Sequence, residues 1–436
     1  MGRFILKIKV LIYLFFTVIF DLSYGITLDE AIEEALENNL EIKQYKEDLK
    51  IANLEIMLSK NMYLPELFIN TAYTYLNKTP YTKIPSFSPL FPNIEFKQSD
   101  SKFLNFELGV NIPLFLGFKR MNKLKLANTD YKVKEELLLE EKRKIKIKVI
   151  EAYINVLQLE TLLDVLEKQK KAVEEHYRRA KGFYEEGLIT KVEVLQTKVR
   201  LAEIKREIKK LNGKIKVAKA YLNSLLNRNI NEDINLEKID INIPKNLDIN
   251  ILIKRALKER NILKALNYQE KEFKYIGEID KGNFLPAVGL TGKYFYTDQY
   301  PYTSPKGNFS ISVGLEIRFQ GLEPYYKYLK TKEEERKFRF FKKDTINKII
   351  LEIKENYEDF VVARENLKVA ENSLSEAEEY YKKVVEQFKE QLASTTDFLN
   401  AEAYLTKARA ERVIAYYQLI LTFLKLKELT GDIYEK

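Results

Sequence analysis

Two short segments of the sequence combine hydroxyl and acidic residues at a helical spacing. Ser394 and Asp397 are three positions apart, and Thr190 and Glu193 repeat this spacing. A Ser or Thr followed three positions later by an acid is typical of a capping box, in which each residue satisfies a free backbone N–H at a helix start. Asn400 follows Asp397 by three positions, so both would lie on one helix face. Capping is sufficient to explain both acids, and a further role for Asp397 stays open on spacing alone.

The rest of the chain offers little from which to build a catalytic centre. It contains no cysteine and one histidine, His176, which lies in a charged stretch and is expected at the surface. The absence of cysteine excludes disulfides, a thiol nucleophile and cysteine-ligated metals. No glycine-rich phosphate loop is present either. We therefore predict no enzyme activity, no cofactor and no metal.

The charge pattern argues against nucleic acid as a partner. The formal net charge is +9, and 31% of residues are charged, but lysine and glutamate alternate in mixed runs along helices. A nucleic-acid site would instead show a basic patch.

The first 25 residues resemble an export signal. Arg3, Lys7 and Lys9 precede an apolar run over residues 10–20, and the small residues Ser23 and Gly25 follow it. That order is typical of a cleaved signal peptide, because the apolar run is too short to span hydrocarbon. We predict export across the inner membrane, and no later segment has the length and apolarity of a transmembrane helix.

The second half of the sequence repeats the first. Residues 35–36, 64–65, 73 and 75 recur at a shift of 221, and residues 109, 153, 177 and 195 recur at a shift of 204 or 205. The difference corresponds to 16 extra residues in the first copy, in a Pro- and Ser-containing stretch (residues 78–93) that we expect to be a loop. Each copy is predicted as helix, strand, loop, strand, long helix, turn and helix.

Two segments alternate strictly between apolar and polar residues. Residues 104–114 and 309–319 each have one wholly apolar face, and the other face includes Glu107 and Asn111 in the first segment and Glu316 and Arg318 in the second. This period of two predicts strands, either in a soluble sandwich or in a membrane barrel. The export signal and the tyrosines of the partner strands, residues 67–75 and 288–296, favour the barrel. Four strands cannot close one, and an open edge is not viable in lipid, so several copies are expected to associate.

The long helices carry an apolar repeat of threes and fours, which is typical of coiled-coil packing. It runs from Val149 to Tyr184 in the first copy and from Ile350 to Phe388 in the second, with a change of phase near Arg364. A helix over residues 119–186 would be on the order of 100 Å long.

These features together resemble the TolC-like outer-membrane efflux proteins. The start ITLDEAIEEALENN and the junction NIPLFLGFKR are similar to that family's motifs, and EEGLITKVEVLQ and KEQLASTTDFLNAE occupy the positions of its two hairpin tips. The resemblance implies a homotrimer in which a twelve-stranded barrel in the outer membrane joins a helical tunnel across the periplasm. It also implies docking of a periplasmic adaptor, and through it an inner-membrane pump, onto the tips.

The resemblance assigns roles to particular residues. Asp397 and Asn400 fall at positions that line the periplasmic aperture, where three copies of Asp397 would form an acidic ring. The tip residues implied in adaptor docking are Gly187, Leu188, Thr190, Glu193, Gln391, Leu392 and Ser394. Gln391 departs from the family pattern because it stands where the tip glycine is expected, and EIRFQGLEP has lost the Pro-Leu-Phe pattern at the second junction. Glu107, Asn111, Glu316 and Arg318 are expected to face the barrel lumen.

The sequence thus predicts a mainly α chain with transmembrane β-strands. The expected parts are a signal peptide (1–25), a first repeat (26–225), an equatorial linker (226–250) and a second repeat (251–436). Within the repeats we expect strands near 66–77, 102–116, 286–297 and 307–319, long helices near 118–186 and 325–390, and shorter helices near 190–226 and 395–429. The predicted function is passive export through a duct of a tripartite efflux or type I secretion system, contacting outer-membrane lipid. An outer-membrane-anchored tethering protein is the alternative.

Overall fold

The computed structural model describes residues 25–244, 247–318 and 321–431. The expected signal peptide lies outside the described residues, apart from Gly25, as does Phe319 at the end of the last expected strand. Within the described ranges, no helix combines the length and the apolarity needed to cross a membrane.

The contacts divide the chain into two compact units. The first, called here the helical unit, comprises the described residues of 1–46, 137–263 and 344–436, and the second, the strand unit, comprises 47–136 and 264–343. The helices are α1 (Leu28–Asn38), α2 (Leu40–Asn61), α3 (Lys119–Glu185), α4 (Lys191–Leu226), α5 (Ile249–Glu259), α6 (Asn261–Lys281), α7 (Glu323–Lys389) and α8 (Thr395–Thr430). The strands are β1 (Glu66–Tyr75), β2 (Tyr81–Ile84), β3 (Ile94–Lys97), β4 (Lys102–Leu116), β5 (Ala287–Thr297) and β6 (Gly307–Glu316).

The sequence duplication is visible in the helical unit as matched local contacts. Thr27 caps α1, and Asp248, 221 positions later, caps α5. The hydroxyl of Tyr153 donates to the carbonyl of Ile26 at 2.7 Å, and its counterpart Tyr357 donates to the carbonyl of Leu247 at 3.2 Å. In each repeat, a tyrosine of the long helix is therefore hydrogen-bonded to the segment that precedes the first helix of that repeat.

The strand unit contains one antiparallel four-stranded sheet with the order β1, β4, β5, β6. Its register builds a face that is apolar across all four strands, for example in the row Ile69, Leu108, Tyr294 and Phe309. Most of these side chains are exposed in the single chain, with Ile69 67% and Phe309 62% accessible. The prediction of a mainly helical chain with four paired strands is confirmed, and no strand pairs with the outer edge of β1 or β6 in the described residues.

The stretch expected to be a loop contains a small second sheet. The strands β2 and β3 form an antiparallel hairpin in which Tyr81 pairs with Lys97 and Ile84 with Ile94. Composition was misleading here because Pro80 and Pro85 flank a short run, Tyr-Thr-Lys-Ile, whose residues favour extended structure.

The strand-to-helix junction of the first repeat and the helix-to-strand junction of the second repeat lie in close contact. Gly117, at φ 61°, lies between β4 and α3, and Gly282 lies between α6 and β5. A methyl group on either glycine would meet the carbonyl oxygen of the other, closer than any real carbon contact. Only glycine at both positions allows these two backbones to cross.

Candidate functional site

Both hairpin tips are built by the same turn. In the first tip, Gly187 has φ 75°, its N–H donates to Tyr184 O at 3.0 Å, and Leu188 N–H donates to Phe183 O at 2.8 Å. These two bonds and the left-handed residue form a Schellman motif, which satisfies the last carbonyls of α3.

The second tip reproduces this turn without a glycine. Gln391 has φ 62°, its N–H donates to Phe388 O at 3.1 Å, and Leu392 N–H donates to Gln387 O at 2.8 Å. The departure from glycine at Gln391 therefore leaves the backbone of the turn unchanged. Leu188 and Leu392 occupy matching positions and are 50% and 75% exposed.

The capping interactions expected at the next helix starts are present. In the second tip, the Ser394 hydroxyl donates to Asp397 Oδ2 at 2.7 Å, and Ser394 N–H donates to the same oxygen at 2.9 Å. In the first tip, Thr190 N–H and hydroxyl both donate to Glu193 Oε1 at 3.3 Å. Glu193 and Asp397 therefore form capping hydrogen bonds at the starts of α4 and α8, respectively.

Asp397 and Asn400 are exposed on one face of α8, while Phe398 between them is buried. The Ser394 hydroxyl and then its backbone N–H hold the pKa of the Asp397 carboxyl below its usual value. Asp397 is therefore ionised at neutral pH, and capping leaves it open to solvent.

His176 is not the surface residue expected from its charged neighbours. Its side chain is 2% exposed, and its ring stacks on Phe398 with centroids 3.8 Å apart and planes 5° apart. Phe388 lies 4.6 Å away from the imidazole, centroid to centroid. Burial, then the nearby Arg179, lowers the pKa of His176 to about 4, so it packs as a neutral aromatic ring between the two hairpins.

A second buried polar contact joins α3 to α8, about two turns from His176. Gln169 Nε2 donates to Glu402 Oε2 at 2.7 Å, and the Thr406 hydroxyl donates to Glu402 Oε1 at 2.8 Å. Gln169 and Glu402 are 2% and 3% exposed. Burial raises the pKa of Glu402 even though these hydrogen bonds favour its ionised form.

These contacts revise the expected coiled-coil seam of α3. The apolar repeat that starts at Val149 predicts Lys170, Val173, Tyr177 and Ala180 in the seam. Among residues 169–180 the buried side chains are Gln169, Val173, His176 and Ala180, whereas Lys170 and Tyr177 are only partly buried. The apolar repeat therefore predicted the buried face of α3 to within one position. The most buried positions of this face include two polar residues, Gln169 and His176, which apolar spacing does not reveal.

The polar face of the sheet carries the residues expected to face a lumen. Glu107 Oε1 accepts from Lys293 Nζ at 2.5 Å, Asn111 Oδ1 accepts from the Thr291 hydroxyl at 2.8 Å, and Glu316 binds Arg318 at 2.7 Å. A cavity of about 330 Å³ lies on this face beside the Glu107 and Lys293 pair. Every acid of this expected lumen set therefore has a cation beside it.

Sequence reasoning missed Lys293, Gln169 and Glu402. Lys293 occupies a polar position of an alternating strand, which signals its face but not its partner. Gln169 and Glu402 lie in charged helices, where nothing in the local pattern marks a buried residue.

In the described ranges, no three His, Asp or Glu side chains come together as a metal site would require.

Known proteins resemble this chain in sequence over its first repeat and, at lower identity, over most of its length. Residues 31–228 match the family model described as outer membrane efflux protein. The outer membrane efflux protein BepC of Brucella suis biovar 1 is 20% identical over 409 residues, covering 93% of this chain and 85% of the relative.

Solved structures share the fold along nearly the whole chain. The outer membrane protein VceC of Vibrio cholerae has a TM-score of 0.75 at 16% identity and covers 93% of this chain and 97% of its own. The CmeC outer membrane channel of Campylobacter jejuni has a TM-score of 0.74 at 15% identity and covers 94% of this chain and 87% of its own. The chain is thus similar to the outer membrane efflux proteins in sequence over its first repeat, and it shares the fold of these solved structures through both repeats.

Proposed function

We propose that the chain is a subunit of an outer-membrane channel through which substrates leave the cell passively, as part of a tripartite efflux or type I secretion system. The observation that carries this proposal is the four-stranded sheet, which has one continuous apolar face and one polar face. An apolar face exposed along whole strands fits contact with lipid, and the opposite face fits a water-filled lumen.

The two unpaired sheet edges support assembly from several copies. Among the described residues, no strand pairs with the outer edge of β1 or β6, and unpaired backbone N–H and C=O groups are costly in hydrocarbon. Three copies would supply twelve strands, an even number within the range of bacterial barrels. We propose a homotrimer whose helical hairpins form a periplasmic tunnel.

The hairpin tips are proposed to form the inner aperture and the adaptor-docking surface. Two exposed leucines, Leu188 and Leu392, lie at equivalent points of the two tips, and Asp397 with Asn400 projects from the second. In a trimer, three ionised Asp397 side chains around one axis would repel each other and attract cations. An adaptor of an inner-membrane pump would dock on the tips and open the aperture.

Single-channel conductance in planar bilayers tests the duct. The purified wild-type protein is expected to show small or infrequent openings, because the aperture is closed without an adaptor. Replacing both Asp397 and Asn400 by alanine should raise the conductance. A protein that forms trimers but never conducts, even with both substitutions, would instead be a membrane tether.

The same measurement separates a gate from a helix cap. Asp397→Asn keeps an oxygen that can cap α8 but removes the charge, so a gating role predicts altered conductance and cation preference. Glu193→Ala removes the matching cap of α4 in the first tip and serves as the control. If only the variants that lose a cap change conductance, Asp397 acts as a cap and not as a gate.

A further inference from the structure

A cavity of about 460 Å³ lies in the strand unit where β4 continues into α3 and α6 continues into β5. Gly117 and Gly282, the two crossing glycines, form part of its wall. The cavity is therefore fixed to the end of the sheet from which the helices leave.

The wall of this cavity has an excess of positive charge. Lys125, Lys274 and Lys281 line it, and Glu278 is its one acidic residue among those described. Lys281 binds Glu278 at 2.8 Å, whereas Lys125 and Lys274 are exposed and have no carboxylate within ion-pair distance in the described ranges. Two lysine charges are thus free to bind an anion.

The remaining wall contains the buried Asn122, the partly buried Tyr275 and three exposed apolar residues. Phe118 is 56%, Met121 41% and Leu285 42% accessible to solvent in the single chain. A β-bulge at Leu114 interrupts the alternation expected over residues 104–114, and Phe115 instead pairs with Val288 and continues the apolar face of β4 to just before this junction. A ligand in the cavity would therefore meet cations and, beside them, the end of an apolar sheet face.

We propose that this cavity binds the headgroup of an anionic phospholipid, whose acyl chains lie along the apolar face of β4 and β5. This inference rests on the proposed function, because the sheet must lie in a membrane for acyl chains to reach it. Lysines at a membrane surface attract anionic headgroups, and their long side chains reach a phosphate while their stems stay against apolar groups.

The equivalent junction of the second repeat supports a membrane–water boundary at this level. Leu322, Tyr325 and Tyr326 are 62%, 48% and 60% exposed at the start of α7, and Lys327 and Lys330 follow within one turn. Exposed tyrosines beside lysines are typical of the interfacial belt of membrane proteins. Both junctions thus carry the side chains expected where hydrocarbon gives way to headgroups.

Native mass spectrometry of the purified full-length protein tests the proposal, with phosphatidylglycerol and phosphatidylcholine as competing probes. The variant carries Lys125→Gln and Lys274→Gln, and the matched control carries Lys171→Gln and Lys209→Gln, two exposed lysines of the helical unit. Each lysine near a membrane surface contributes roughly a fivefold gain in binding of anionic lipid, so the double variant should retain phosphatidylglycerol roughly 25-fold less well. The control should match the wild type.

Several outcomes would overturn the proposal. Among them are equal retention of the two lipids by the wild type, an equal loss in variant and control, and competition by inorganic phosphate as strong as that by phosphatidylglycerol. If the double variant fails to assemble, Lys274→Gln alone should show a roughly fivefold loss, and no loss there counts against the site.

Failure of this inference is distinguishable from failure of the proposed function. A protein that conducts in bilayers without preferring phosphatidylglycerol overturns the lipid site and leaves the channel standing. A protein that binds phosphatidylglycerol through these lysines but never conducts supports the lipid site and removes the channel function.

Discussion

A single histidine illustrates how a residue's chemistry depends on its packing partners. His176 has two arginines and two glutamates within three positions in the sequence, yet its ring lies against Phe398 of the other hairpin. The charged residues next to it in the sequence are exposed or only partly buried, and burial keeps the imidazole neutral. Protonating His176 would place a positive charge between two phenylalanine rings, which is costly.

We predict that His176 makes the helical unit less stable in acid. Its pKa is about 4 in the folded protein, against about 6.5 when unfolded, so protons bind preferentially to the unfolded chain. The stability due to the neutral ring is therefore complete above pH 6.5 and is lost as the pH falls from 6.5 toward 4. Between pH 8 and pH 5 the loss should be about 2 kcal/mol, measured by urea unfolding followed by circular dichroism.

His176→Phe is the control for this pH dependence. Phenylalanine keeps an aromatic ring against Phe398 but has no proton to bind, so the variant should lack the acid-dependent loss. Glu402 titrates in the opposite sense, because its raised pKa favours the folded state at low pH, but it is present in both proteins and cancels. An identical pH dependence in wild type and variant would show that the imidazole is not protected by burial.

At the scale of elements, the two hairpin turns share a conformation but not a residue type. The left-handed position is Gly187 in the first tip and Gln391 in the second. A left-handed conformation costs a residue with a side chain roughly 1–2 kcal/mol, a cost that glycine does not have. The second turn therefore carries backbone strain that the first does not.

Gln391→Gly is predicted to stabilise the helical unit. Removing the side chain relieves the left-handed strain while both turn hydrogen bonds remain, so the free energy of unfolding should rise by about 0.5–1 kcal/mol. Gly187→Ala in the first tip is the mirror experiment and should lower it by about 1 kcal/mol. Urea unfolding of both variants provides the measurement, and a destabilised Gln391→Gly protein would indicate that the Gln391 side chain makes contacts that outweigh the strain.

For the whole molecule, the two faces of the sheet predict that neighbouring residues of β6 differ in whether they tolerate a charged side chain. Ile311 lies on the apolar face, in the row with Leu67 and Val110, whereas Ser310 lies on the polar face beside Lys293. Ile311→Lys places a charge toward lipid at a cost of about 2–4 kcal/mol near the midplane, so little protein should assemble in the outer membrane. Ser310→Lys places the same charge toward water and should assemble normally.

Heat-resistant oligomers in outer-membrane fractions, resolved by gel electrophoresis, provide the readout for these two substitutions. The two substitutions introduce the same charged side chain at adjacent positions on opposite faces of the sheet. If both variants assemble equally well, the apolar face does not contact lipid and the channel function loses its main support.

Features that depend on short-range periodicity can be predicted from the residues alone. Alternation with a period of two identified the strands and their apolar face, and an apolar repeat of threes and fours identified the long helices. The duplication then predicted that both repeats share one order of elements. The two periodic signals are local, because the side-chain period of a strand or helix is set by its own backbone.

Contacts between residues far apart in the sequence depend instead on how the elements pack. Lys293 pairs with Glu107 across 186 positions, and the hairpin β2–β3 forms within a stretch that composition marked as a loop. His176 and Gln169 are buried because α8 supplies Phe398 and Glu402 on the facing surface. A strand's register and a helix's rotation fix such partners, and both are set by the packing of distant segments, which local periodicity does not encode.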